Sequence, residues 1–235
     1  MSTNTHILKE YFDPIKIREH QLGHTVTVGV SYHFTSLEKQ GLSALLAKLP
    51  LVDEAPVAMD IDLSCFVYDK AFNILETIWY GNLRNANESI RHHGDALVGA
   101  KSFDDSLIQQ EQIQIKLDKL LKEAHHLVFV LSSYHNQPLQ KAKKGMLYFG
   151  DKETPKAFSI SFDQIEPDCQ SLAAWQLSCY RGDWELSAPM VDIKLTKLSD
   201  KSLDTLTNAN NPISWLVYWV VGCMIISLLG FFVIY

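Results

Sequence analysis

The sequence predicts an all-β sandwich with a few short helices, followed by one C-terminal transmembrane helix. Three observations lead there. Apolar and polar residues alternate in short segments separated by polar turns, which is the period of a half-buried strand. About eight such segments occur, with no internal repeat and no low-complexity tract, a pattern typical of all-β domains. The last 23 residues, Ile213 to Tyr235, carry no charge at all.

Residues 1–23 read as an irregular lead-in. HTVTVGVSYHF (His24–Phe34) places Val26, Val28 and Val30 on one face and predicts a strand. Ser36–Leu49 suits a short helix or an inserted loop. DIDLSCFVYD (Asp60–Asp69) alternates again, with Ile61, Leu63, Cys65 and Val67 on one face and Asp60, Asp62, Ser64 and Phe66 on the other. Ala71–Asn73 is a turn and Ile74–Leu83 a further strand. A long polar loop runs from Arg84 to Gln110, a length usually tied to function. EQIQIKL returns to alternation, DKLLKEA is a helical turn or two, and HLVFVLSSYH (His126–His135) is a fully buried strand. MLYFG, FSISF (Phe158–Phe162), WQLSCYR (Trp175–Arg181) and WELSAP complete the domain, which spans 24–195. Trp79, Trp175 and Trp184 are expected in the core. Residues 196–212 read as a polar, flexible linker.

The final segment, 213–235, covers roughly 34 Å as a helix, against about 30 Å for a bilayer core. Trp215, Tyr218 and Trp219 crowd one end, and Phe231, Phe232 and Tyr235 the other, as interfacial aromatics do. The first twenty residues have no apolar h-region, so no secretory signal is expected. The expectation is a single-pass tail anchor at the membrane, with the N-terminal domain in the cytoplasm.

A net charge of -6 with no basic cluster argues against nucleic-acid binding, which needs a positive stripe. Cys65, Cys169, Cys179 and Cys223 form no CxxC pair, the pattern of a reducing compartment. Ser64, Cys65 and Cys179 are nucleophiles by type only, with no base at a defined spacing, so no enzyme is expected. The adjacent pairs His92–His93 and His125–His126 point to opposite faces of a strand and do not chelate one ion. Asp60 and Asp62 share a strand face. Either they are solvated acids at a strand end, or they are oxygen ligands for a hard cation.

Taken together, TVTVGVSY, MDIDLSCFVYD, WYGNL, HHGDALVGAKSFDDS, HLVFVLSSYH and CYRGDWEL resemble the TerD-like family of tellurium-resistance and stress-response proteins. The resemblance runs from about Thr25 to Pro189. Its most specific part is His92-His93-Gly94-Asp95 followed by Asp104-Asp105, which matches the family's H-x-G-D-N-x-T-G and acidic stretch without a gap. It implies a β-sandwich and calcium bound by Asp60, Asp62, Asp95, Asp104 and Asp105, with His92 orienting the acidic loop. The chain departs from the family at Ala96, Ala100, Ser102 and Ser106, where oxygen donors are lost, and at Lys101, which adds a positive charge. Fewer ligand charges weaken calcium, so both a working site and a metal-free loop stay open. The resemblance implies an interaction module in a stress or defence assembly, with other TerD-like proteins among its expected partners; the span 213–235, which the resemblance does not reach, is expected to tether it to the membrane. The alternatives are a metal-free membrane scaffold and a metal-dependent hydrolase.

Overall fold

The computed structural model describes residues 6–7, 14–37, 57–94 and 111–193. They form two sheets around one apolar core. In chain order the strands are β1 (His6–Ile7), β2 (Ile15–Lys16), β3 (Thr25–Ser31), β4 (Ile61–Tyr68), β5 (Ile74–Ile78), β6 (Ile90–His92), β7 (Glu111–Lys116), β8 (His126–Ser133), β9 (Met146–Asp151), β10 (Phe158–Ser161), β11 (Ser171–Tyr180), β12 (Asp183–Ser187) and β13 (Val191–Asp192). Sheet A has the order β1-β10-β9-β3-β7-β6, and sheet B the order β2-β12-β11-β8-β4-β5, with β13 also paired to β11. Among the described residues the helical pieces are short 3-10 turns, such as Phe162–Gln164, which Ser161 and Gln164 close with a capping box.

The alternation works as the sequence suggests. Val26, Val28 and Val30 of β3, Ile113 and Ile115 of β7, and Leu147 and Phe149 of β9 face Ile61, Leu63, Cys65 and Val67 of β4 and Leu127, Phe129 and Leu131 of β8 in one core. The register of β11 on β8 slips between Ala173 and Trp175. This irregularity turns the successive residues Ala174 and Trp175 both into that core, where the indole sits 6.1 Å from the Phe149 ring. Trp175 is fully buried, whereas Trp79 and Trp184 are only partly so.

Three expectations need correction. β4 is not half-buried: all eight of its residues are buried, because Phe66 and Tyr68 join Val128, Val130, Ala173 and Ile193 in a second apolar cluster on the outer face of sheet B. The lead-in is not irregular throughout: β2 pairs with β12 through Ile15–Leu186 and Lys16–Glu185, and Ile17 is buried in the main core. The loop from Arg84 contains β6, which pairs with β7. A strand of two or three residues is too short to display a period, so neither β2 nor β6 was visible as alternation.

Candidate functional site

At the acidic end of β4, side chains of sheet A reach the backbone of sheet B. β5 pairs with β4 only from Cys65 onward, so the backbone of Leu63 lacks a strand partner on that side. Side chains from sheet A take its place. The Leu63 N–H donates to Glu111 Oε2 at 2.8 Å, and the Leu63 carbonyl lies 3.1 Å from His92 Nε2. His92 Nδ1 accepts the Gly94 N–H at 3.1 Å, so the ring hydrogen is on Nε2 and donates to Leu63. Glu111 Oε2 is also 3.5 Å from His92 Nε2, both side chains being essentially inaccessible.

Asp60 and Asp62 stand at this same end and are 7% and 8% exposed. They are therefore buried acids and not solvated ones at a strand end. Beside them lies Tyr32, whose hydroxyl accepts the Ile61 N–H at 3.2 Å and donates to the Met59 carbonyl at 3.4 Å. Burial, and after it the charges of Asp60, Glu111 and Asp62, push the Tyr32 phenol far above its ordinary range. Three carboxylates thus act on one buried hydroxyl. The Asp60 carbonyl accepts the Tyr134 N–H at 3.1 Å, which ties the turn after β8 to this end.

Of the five acids expected at a cation site, the structure brings Asp60 and Asp62 together. Asp95, Asp104 and Asp105, with Lys101, lie outside the described residues. Among the described residues, no three His, Cys, Asp or Glu side chains are placed to hold one metal ion. The donor chemistry suits a hard cation, since carboxylate and carbonyl oxygens are what calcium takes.

Glu111 was missed by sequence reasoning, although a signal existed. It lies in phase with Ile113 and Ile115, so it points to the buried face of β7, where an acid requires a partner. His92 is buried, and its Nδ1 accepts the Gly94 N–H. His93 is exposed, so the two adjacent rings do point apart. Cys65 is buried in the core, and burial, with Glu76 adding to it, drives its thiol far above the usual range; it is packing, not a nucleophile. Cys169 is likewise pushed up to about 12, by burial and then by Asp192. The span 213–235 lies outside the described residues, among which no helix is long and apolar enough to cross a membrane.

A family model described as the TerD domain matches residues 23–189. The tellurium resistance protein TerZ of Serratia marcescens is 29% identical over 80 residues, which are 34% of this chain and 39% of that protein. The match to this curated relative thus spans about two fifths of its length. A solved homologue of telluride resistance protein (TerD) from Streptomyces coelicolor A3(2) superposes with a TM-score of 0.53 at 11% identity, covering 72% of this chain and 90% of that one. A second solved structure, of a protein of unknown function, gives a TM-score of 0.52 at 13% identity, covering 72% and 91%. At such identities the structural likeness shows the fold alone.

Proposed function

The chain belongs to the TerD family, and on that footing we propose that it is a membrane-tethered interaction module whose acidic end takes up calcium. The observation that supports the cation is the burial of Asp60, Asp62 and Glu111 around Tyr32. Carboxylates removed from water are costly unless positive charge is brought to them, and the acidic stretch of 95–110 follows directly from Gly94. The tether is the uncharged, aromatic-ended span 213–235, which leaves the sandwich free to dock protein partners, other TerD-like proteins among them. The module itself is not an enzyme.

The test is a thermal scan of the full chain in detergent, with and without calcium. A cation that binds only the folded state stabilises it by about 2.7 kcal/mol at a hundredfold excess over its dissociation constant. Calcium is expected to raise the melting temperature, magnesium less so because it demands tighter octahedral geometry. Asp104→Asn with Asp105→Asn is expected to abolish the rise. A flat response in the unaltered chain sinks the calcium reading.

A second reading is a metal-free scaffold at the membrane. It is favoured by one specific feature: Glu111 already accepts a backbone hydrogen bond and lies against His92, so part of its charge is spent on joining the sheets. This reading expects no calcium shift and a neutral or slightly stabilising effect of the two Asp→Asn changes.

A further inference from the structure

The strand registers gather several loops at one end of the sandwich. Asp62 of β4 pairs with Ser132 of β8, and Ser132 with Ser171 of β11. The Ser171 carbonyl accepts the N–H of Ile193, the last described residue, at 2.8 Å. One residue away, the Gln170 carbonyl accepts the Ser133 N–H at 2.9 Å. The described chain therefore ends beside the turn that carries Tyr134, at the acidic end of β4. In the sequence, residues 194–212 lie between this point and the uncharged span.

Lysines on an exposed loop are ordinary, but those of the β8–β9 connection are built into the fold. Ser133 accepts the N–H of Asn136 on its carbonyl and that of Gln137 on its hydroxyl, and Gln137 Oε1 accepts Lys141 Nζ at 2.9 Å. Leu139 and Ala142 are buried. Gly145 lies so close to the Phe162 ring that a Cβ there would collide with it. With those three positions turned inward, Lys141, Lys143 and Lys144 are turned out and exposed. Lys143 is also tied to the loop after β3: its N–H donates to Thr35 Oγ1 at 3.0 Å, and its carbonyl accepts the His33 N–H at 2.8 Å. That loop in turn holds the approach to β4, through Met59 N–H on the Thr35 carbonyl and Leu37 N–H on the Val57 carbonyl. The result is one stitched surface that carries three lysines, Tyr134 at 61% exposure and Val57 at 44%. The Tyr134 ring stands edge-on to His135, with centroids 5.1 Å apart. On the β10–β11 connection beside it, Asp163, Glu166 and Asp168 are exposed, so the lysine side is the one that suits an anionic partner.

Charge and place choose the partner. Clustered lysines draw anionic headgroups within a Debye length of the surface. Lysine stems and an exposed tyrosine match the layer between water and hydrocarbon, where aromatic rings settle and ammonium groups reach back to water. The described chain also ends at this surface, on the way to 213–235. We propose that this end of the sandwich docks on an anionic lipid bilayer, with Tyr134 and Val57 entering the headgroup layer and Lys141, Lys143 and Lys144 meeting lipid phosphates. The docking rests on the membrane reading above, which brings the bilayer near, and not on the cation: it uses exposed side chains, and the buried carboxylates take no part. A tether by itself leaves the orientation of the domain open. This surface fixes it, with the β8–β9 connection towards the lipid.

The test uses the full chain reconstituted in nanodiscs, with a calcium chelator present throughout. His135→Cys carries a fluorophore, and the lipids carry a nitroxide quencher near their headgroups. The parent chain, labelled in the same way, sets the background from its own cysteines. Lys122→Cys, exposed on the β7–β8 connection at the far end of β4, is the control site. In discs containing phosphatidylglycerol, quenching at 135 is expected to be at least threefold stronger than at 122. It should fall by at least half in pure phosphatidylcholine, in high salt, and when Lys141→Gln, Lys143→Gln and Lys144→Gln are combined. Tyr134→Ser should weaken it as well, and none of these exposed changes should move the melting temperature. Equal quenching at the two sites, or quenching at 135 that ignores both lipid charge and the lysines, would overturn the docking. So would shielding of 135 that grows with protein concentration in place of anionic lipid, because the surface would then join copies of this chain. A full chain that does not enter the discs refutes the tether; the docking is then read with anionic vesicles carrying the same quencher, where an unquenched 135 overturns it too.

Discussion

The carboxylate of Glu111 in sheet A accepts the backbone N–H of Leu63 in sheet B at 2.8 Å. One acid thus does for β4 what another strand would do. Glu111→Ala leaves that N–H without its acceptor in a dry site and is expected to destabilise the chain by about 2–3 kcal/mol. Glu111→Gln keeps a carbonyl acceptor and should cost less. Denaturant titration of the two variants checks this, and an alanine variant as stable as the parent would show that the bond joins nothing of consequence.

His126, half-buried at the head of β8, stacks on Phe72 with ring centroids 4.1 Å apart and places Nδ1 3.0 Å from Ser178 Oγ. Burial, then the neighbouring His125, pushes its pKa down to about 4. An unfolded histidine titrates near pH 6.5. Between these values the unfolded chain holds the extra proton, so stability falls as pH drops from about 6.5 towards 4. Partial exposure screens the effect to on the order of 1 kcal/mol. Melting temperatures across that window should decline, and His126→Gln should flatten the decline; parallel profiles would remove His126 as the cause.

Gly150 in β9 lies against the turn that follows it, where a Cβ would run into the Thr154 carbonyl and the Pro155 backbone. That turn is held in place by the Asp151 side chain, which accepts the N–H groups of Glu153 and Thr154 on one oxygen and of Gly23 on the other. Backbone cannot give way as a flexible side chain can. Gly150→Ala is expected to cost about 1–3 kcal/mol, and thermal denaturation is the measurement. A variant that melts with the parent would mean that the turn shifts freely.

Deletion of residues 213–235 is expected to move the protein from the membrane pellet to the supernatant after an alkaline wash, while the full chain stays in the pellet until detergent is added. A full chain found in the supernatant without detergent would rule out the tether.

The main sheet strands were legible because each is long enough to show its period and each has one face in the same core: Val26, Val28 and Val30, or Ile113 and Ile115. What was hidden had physical reasons. β2 and β6 span two and three residues, too few to alternate. The outer cluster was half hidden, because Asp60, Asp62 and Ser64 begin the very face that Phe66 and Tyr68 complete, and a face that changes character along its length looks merely amphipathic. Glu111 was passed over as the polar start of a strand although its phase put it inside. The pair Asp60 and Asp62 was legible as two acids on one strand face, but its burial was not, because Tyr32 and β7 are far away in sequence.

The pairing of Ile15 with Leu186 also sets a timetable. β4 has to wait for β8, β8 for β11, and the β2 edge for β12, the next-to-last described strand. Pairings between such distant stretches of chain must meet the entropy of closing long loops before any contact rewards them, which makes folding slow. Sheet B therefore cannot be completed before residues 171–187 have been synthesised. Until then the nascent chain exposes Phe66, Val128 and Val130 together with unpaired strand edges, the surface that chaperones exist to shield.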